Sequence, residues 1–171
     1  MPELPHVTAI LHRAGLIDTR WFTDEMRDRG SAVHLVTQFL DERDLHWPDV
    51  DERIAAKIRR YQQFLDEVRP KILSIEEKVE NVAYQYQGKL DRIVVINGRK
   101  GVLDIKGISR APWQALQVAM YAACFPGPSL ARWTLHLSDE RYQLIEHTNR
   151  GDWRVAVAAI TLAAWREANG I

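Results

Sequence analysis

Gly88-Lys89-Leu90-Asp91-Arg92-Ile93-Val94-Val95-Ile96 and, after the turn signal Asn97-Gly98, Val102-Leu103-Asp104-Ile105-Lys106 decide how this chain is read. Aliphatic and β-branched residues dominate both stretches, and Asn-Gly favours the tight turn joining two antiparallel strands. Strand side chains alternate between faces. Alternation predicts Asp91 on one face with Ile93 and Val95, opposite Leu90, Val94 and Ile96. It predicts Asp104 with Val102 and Lys106, opposite Leu103 and Ile105. Both faces are largely apolar, so other elements must cover both. A carboxylate on a covered face needs a cation, a donor or a metal. Two such acids on hairpin-linked strands, with an ammonium two residues past the second, can meet at one point. Asp-x-Lys by itself is common on exposed strands, where it forms an ordinary ion pair. The apolar flanks and the matching Asp91 set this pair apart.

Upstream, the period is helical. A short helix is predicted from Thr8 to Ala14, stopped by Gly15, and a second from about Asp24 to Phe39, with Gly30 as an alternative start. After Trp47-Pro48-Asp49, Asp49 and Glu52 form a capping-box-like start. Ile54, Ile58, Tyr61, Leu65 and Val68 follow at helical spacing up to Pro70. Strand readings cover Ile72 to Val82 and, beyond a bend, Tyr84 to Gln87. Downstream come a helix from Pro112 to Cys124 and a hairpin of Trp133–Leu137 and Tyr142–Ile145. A last helix, capped by Asp152, runs to about Ala168. This order predicts one α/β domain over residues 1–171, with a helical part to about residue 70 and a sheet core from about 71. Its core is a mixed central β-sheet flanked by helices.

Composition agrees. The chain has 171 residues, 46% hydrophobic and 27% charged, enough to bury a core without staples. Its 23 basic and 23 acidic residues cancel, which argues against non-specific coating of nucleic acid but leaves room for a local basic groove. Cys124 is the single cysteine, so an internal disulfide, a cysteine zinc site and a four-cysteine iron–sulfur cluster are excluded. No apolar stretch is long enough to span a bilayer, and no basic-then-apolar leader opens the chain. The expected location is the cytoplasm, with no membrane partner.

Two carboxylates and an ammonium at one point suit one chemistry. The acids hold a hard divalent cation, Mg²⁺ or Mn²⁺, which stabilises charge on a phosphoryl oxygen and acidifies a bound water. The ammonium orients that water or stabilises the developing charge. This is machinery for phosphodiester hydrolysis. From Gly88 to Trp113, six cations (Lys89, Arg92, Arg99, Lys100, Lys106, Arg110) stand against Asp91 and Asp104, an excess that draws in a phosphate backbone. Trp113, Tyr84 and Tyr86 are either stacking platforms for bases or core residues.

Asp91 followed by Asp104-Ile105-Lys106 resembles the core of the PD-(D/E)xK nucleases, with its restriction-endonuclease-like fold. Gly30-Ser31-Ala32-Val33-His34, Gly88-x-x-Asp91-x-Ile93 and Gln117-x-x-x-Tyr121 are similar, in order and spacing, to motifs of the RecB-like branch, and to small phage and prophage exonucleases within it. The resemblance covers residues 7 to 122. It implies that Asp91, Asp104, His34 and the Ile105 carbonyl hold Mg²⁺ or Mn²⁺, the imidazole favouring Mn²⁺. It implies that Lys106 orients the water and that Gln117 and Tyr121 position the strand. It also implies a glutamate on the preceding strand, which positions Lys106 or binds the metal from the far side. Spacing to Val79 favours Glu76, while alternation groups Glu77 with Ile75 and Val79. Where the family continues with Thr-Gly, this chain has Gly107-Ile108-Ser109, leaving Ser109 to stand in for the hydroxyl. The implied activity is exonucleolytic DNA hydrolysis in phage-type recombination or repair, inside a bacterial or phage-infected cell. A single-strand annealing protein is the implied partner, and a homo-oligomer is open. The alternative is a nucleic-acid-binding module of the same fold with little or no catalysis.

Overall fold

Changes of period in the sequence become changes of element. In the computed structural model, which describes residues 3–18, 20, 23–107 and 109–171, α1 is Val7–Arg13 and α2 is Asp24–Asp41. Thr23 caps α2 by accepting the Met26 amide, and Asp24 and Glu25 in its first turn complement the positive helix end. With that cap the helix starts at Asp24 and runs through Gly30. A 3₁₀ turn, Trp47–Asp49, precedes α3 (Glu52–Val68). The α3 cap is Asp51, which accepts the Arg53 amide, whereas Asp49 is drawn to His46. Ile54, Ile58, Tyr61 and Phe64 form its buried face. Arg69, left-handed at φ 50°, ends it just before Pro70.

The strands are β1 (Lys71–Asn81), β2 (Tyr86–Ile96), β3 (Arg99–Lys106), β4 (Ala131–Leu137) and β5 (Tyr142–Glu146). They form one mixed sheet in sequence order, antiparallel except for the parallel pair β3 and β4. Between these two, α4 (Trp113–Ala122) makes the crossover, and α5 (Gly151–Asn169) closes the chain. The β1–β2 ladder continues from Asn81↔Tyr86 to Lys71↔Val95, so Tyr86–Gln87 and Leu90–Ile96 belong to one strand. Asn97 (φ 49°) and Gly98 (φ 75°) make the predicted β2–β3 turn with both residues left-handed. Asp152 does not cap α5. Arg150 holds the cap position, and Asp152, inside the first turn, pairs with Arg132 at 3.1 Å.

Helices cover both sheet faces. One apolar core joins α1, α4 and α5 to Val79, Leu90, Ile93 and Val102; the other joins α2 and α3 to Val94, Ile96, Leu103 and Ile105. β3 therefore alternates as predicted. β2 does not, because Leu90 packs with Ile93 and not with Val94 and Ile96. The break falls at Asp91–Arg92. Facing it, Ile75 pairs with Arg92 and Glu77 with Leu90, while Glu76 between them turns left-handed at φ 52°. Among the described residues, no helix is long and apolar enough to cross a membrane.

Candidate metal centre

The broken alternation leaves a gap where β2 and β3 part. Their pairing runs from Ile96↔Arg99 to Arg92↔Leu103 and stops. Past that point the side chain of Asp91 replaces the backbone, and its Oδ2 accepts the Ile105 amide at 2.6 Å. A strand residue points its N–H and C=O to the same side, so the Ile105 carbonyl also faces this gap. Across it, Nδ1 of His34, from α2, lies 3.2 Å from Asp91 Oδ1. Glu76 completes the group. One ligand atom each from His34, Glu76 and Asp91 lies within 4.8 Å of the others.

Asp104 stands beside this trio, outside its 4.8 Å span, and lines the same cavity of about 390 Å³. Lys106 Nζ lies 2.7 Å from Asp104 Oδ2, but without hydrogen-bond geometry, so that buried oxygen has no hydrogen-bond partner among the described residues. Lys106 donates to Gln117 Oε1 at 2.7 Å and sits 5.1 Å above the Trp113 ring. Gln117 in turn donates to the Tyr121 hydroxyl at 3.2 Å.

Burial shapes the charges. It pushes the Asp104 carboxyl up to about 6, with the neighbouring Asp91 charge adding to the shift against the pull of Lys106. Burial also works against an ionised Asp91, but His34, Lys106 and the Ile105 amide hold its carboxyl below the ordinary value. For His34, burial disfavours the imidazolium, and Asp91 outweighs it and raises the pKa. Two neighbouring acids are thus pushed apart in pKa, as functional sites commonly require.

The predicted residues are therefore brought together, with adjustments. Glu76 is the glutamate in the cavity; the half-buried Glu77 lies outside it. Glu76 pairs with Lys89 at 2.5 Å and Arg92 at 3.3 Å rather than with Lys106. Ser109 does not line the cavity, and its carbonyl accepts from Gln114 instead; Ile108 lies outside the described residues. The basic stretch is mostly spent internally. Arg92 is fully buried, Arg99 pairs with Glu146, and Lys89 and Lys106 belong to the site. Tyr86 is core, donating to the Met120 carbonyl at 2.8 Å, and Tyr84 packs edge-on against Trp153.

Arg92 is the residue that charge counting misplaced. It bonds Asp41, Thr37, Glu76 and the Asp91 carbonyl, tying α2 and β1 to β2. The available signal was an arginine among aliphatics on a strand covered on both faces, which requires a buried acid nearby.

Gly88 has a steric reason to be glycine. A Cβ there would lie 2.6 Å from Tyr121 Cε1 and 3.2 Å from Val7 Cγ2. Gly88→Ala is expected to displace the Tyr121 ring, loosen the Gln117–Lys106 chain and cost about 1–3 kcal/mol. Thermal melts check this as a double-mutant cycle, because in a Tyr121→Ala background the same change is expected to cost far less.

In comparisons with known proteins, no family model and no curated protein matches the chain.

Proposed function

We propose that the chain is a metal-dependent deoxyribonuclease of the PD-(D/E)xK type, working as an exonuclease in phage-type recombination or repair. The observation that carries this reading is the convergence of His34, Glu76 and Asp91 beside the Asp104–Lys106 pair. Asp104 Oδ2 is paired with Lys106 at 2.7 Å, yet this buried pair stands beside three further ligand-type side chains, a gathering that an isolated structural ion pair does not need. Carboxylate oxygens with one imidazole nitrogen suit Mg²⁺ and, better, Mn²⁺, so the residues fit such an ion. His34, Asp91, Asp104, Glu76 and the Ile105 carbonyl would hold it. When bound, the ion supplies charge stabilisation at a phosphoryl oxygen and an acidified water.

The chain's own groups do the rest. Lys106, fixed by Gln117 and by the Trp113 face, presents its ammonium where attacking water and developing charge meet. Tyr121, held by Gln117, offers a hydroxyl for a phosphate oxygen. Asp91 keeps its position through the Ile105 amide, so ligand geometry is tied to the strand backbone. A single-strand annealing protein is the partner this reading suggests, and the bacterial cytoplasm the place.

The test is digestion of end-labelled linear, circular and single-stranded DNA with Mg²⁺, with Mn²⁺ or with chelator. Cleavage of linear but not circular DNA, abolished by chelator, is expected. Cleavage that survives chelation, or DNA binding with no cleavage under any metal, would remove the assignment.

A further inference from the structure

Parallel strands open a crevice at their carboxyl ends, a common place for ligands. At the ends of β3 and β4 that crevice is a cavity of about 540 Å³, bounded by Gly107, His136, Lys57, Arg110 and Arg141. Lys57 faces Asp139 at 3.4 Å, which matches one of the two acids on the rim; the other is Glu140. The Arg110 and Arg141 side chains are exposed and make no ion pair among the described residues. His136 is 7% exposed, a buried polar wall. A smaller hollow of about 130 Å³ shares Met26, Lys57 and Gly107 with this cavity and adds Arg29, Gly30 and Val33. Ser31 and His34, the next residues along α2, line the metal cavity, and Gly107 directly follows Lys106. No residue lines both the metal cavity and either of the other two, but the three lie in succession beside α2 and the end of β3.

We infer that this crevice is a second subsite for a phosphodiester backbone, in which Arg110 and Arg141 take phosphates of the strand beyond the one cleaved. Two exposed guanidiniums with no ion pair among the described residues, on the rim of a polar crevice, suit phosphate recognition, which orders a strand without reading its bases. The inference rests on the nuclease reading of the metal centre and extends it. The substrate is a polynucleotide several residues long, and a small phosphodiester uses only the metal cavity.

Two variants test it. Arg110→Ala with Arg141→Ala removes the cations. Gly107→Phe puts a ring into the wall of the crevice, where a Cβ meets only Val33 Cγ2 among the described residues, at 4.0 Å. Binding of a fluorescent single-stranded oligonucleotide is measured by anisotropy in chelator, and hydrolysis of the same strand and of bis(p-nitrophenyl) phosphate with Mn²⁺. Both variants are expected to bind the oligonucleotide about tenfold more weakly or worse. The double variant is expected to lose about 0.7 of log–log salt slope per phosphate contact. Hydrolysis of bis(p-nitrophenyl) phosphate is expected to stay at the parent rate. Unchanged oligonucleotide affinity in both variants overturns the subsite, as does a parent that does not bind the strand. Failure of the nuclease reading looks different: the parent hydrolyses neither substrate, while the affinity comparison still reports on the crevice.

Discussion

Asp104→Asn is expected to lower Mn²⁺-dependent DNA hydrolysis by at least about 10³-fold, some 4 kcal/mol of transition-state stabilisation, with the fold retained. Asp104 is 3% exposed, and its Oδ2, 2.7 Å from Lys106 Nζ, has no partner of hydrogen-bond geometry among the described residues. The side chain sits beside Asp91, whose charge adds to the burial that disfavours its ionised form. Lys106 compensates part of this burial, and a cation placed between the acids would compensate the rest. The amide keeps the shape and removes the charge. Two stability effects then oppose each other: relief from burying a second charge, and loss of the ion pair with Lys106, which keeps its bond to Gln117. Their difference is expected to stay within about 1 kcal/mol, a Tm change of roughly 2–4 °C. Glu76→Gln should cost less activity, because Glu76 is anchored by Lys89 and Arg92 and keeps part of that anchoring as an amide. The decisive measurements are Mn²⁺ affinity by calorimetry and hydrolysis rate, each beside a thermal melt. Parent-like hydrolysis by Asp104→Asn would end the metal-centre reading.

The parts of this site that could be read from the chain are those where the backbone is regular. In β3, alternation correctly placed Val102, Asp104 and Lys106 against Leu103 and Ile105 because the strand has no irregularity. On α4, Gln117 and Tyr121 are a helical turn apart and do share a face, joined by a hydrogen bond. Alternation failed in β2 because the strand breaks at Asp91–Arg92, and no residue there is a glycine or proline that would announce it. Glu76 is similar. Its left-handed backbone, at φ 52°, is unusual for a glutamate and leaves no mark in the pattern of apolar residues. That irregularity is also what separates Glu76 from Glu77, a choice that periodicity alone could not make. The caps of α3 and α5 were misplaced for a simpler reason. Both regions hold several polar residues within a few positions, and tertiary partners decide which one caps: His46 draws Asp49 away and Arg132 draws Asp152 away.

Arg92→Met is expected to destabilise the fold by about 3–5 kcal/mol. Arg92 has no exposed surface, and Asp41, equally buried, lies 2.5 Å from its Nε. The Tyr61 hydroxyl donates to both Asp41 oxygens, at 2.9 and 2.8 Å. Burial pushes the Asp41 carboxyl up against these bonds, so the site already bears a desolvation cost that Arg92 offsets. Methionine fills much of the space but leaves Asp41 and Glu76 without their shared cation. Asp41 lies about two turns along α2 from His34, so the same guanidinium that holds Asp41 and Glu76 also fixes the imidazole relative to Asp91. Two consequences separate this role from simple packing. Arg92→Lys keeps the charge but loses the planar fork, and should recover only part of the stability. Arg92→Met with Asp41→Leu removes both buried charges, and should recover much of the Tm but not the Mn²⁺ affinity, since Glu76 is then held by Lys89 alone. Denaturant melts and Mn²⁺ titrations below each variant's transition measure both quantities. An Arg92→Met protein with parent-like Tm, or a double variant whose metal affinity returns together with its stability, would refute the clamp.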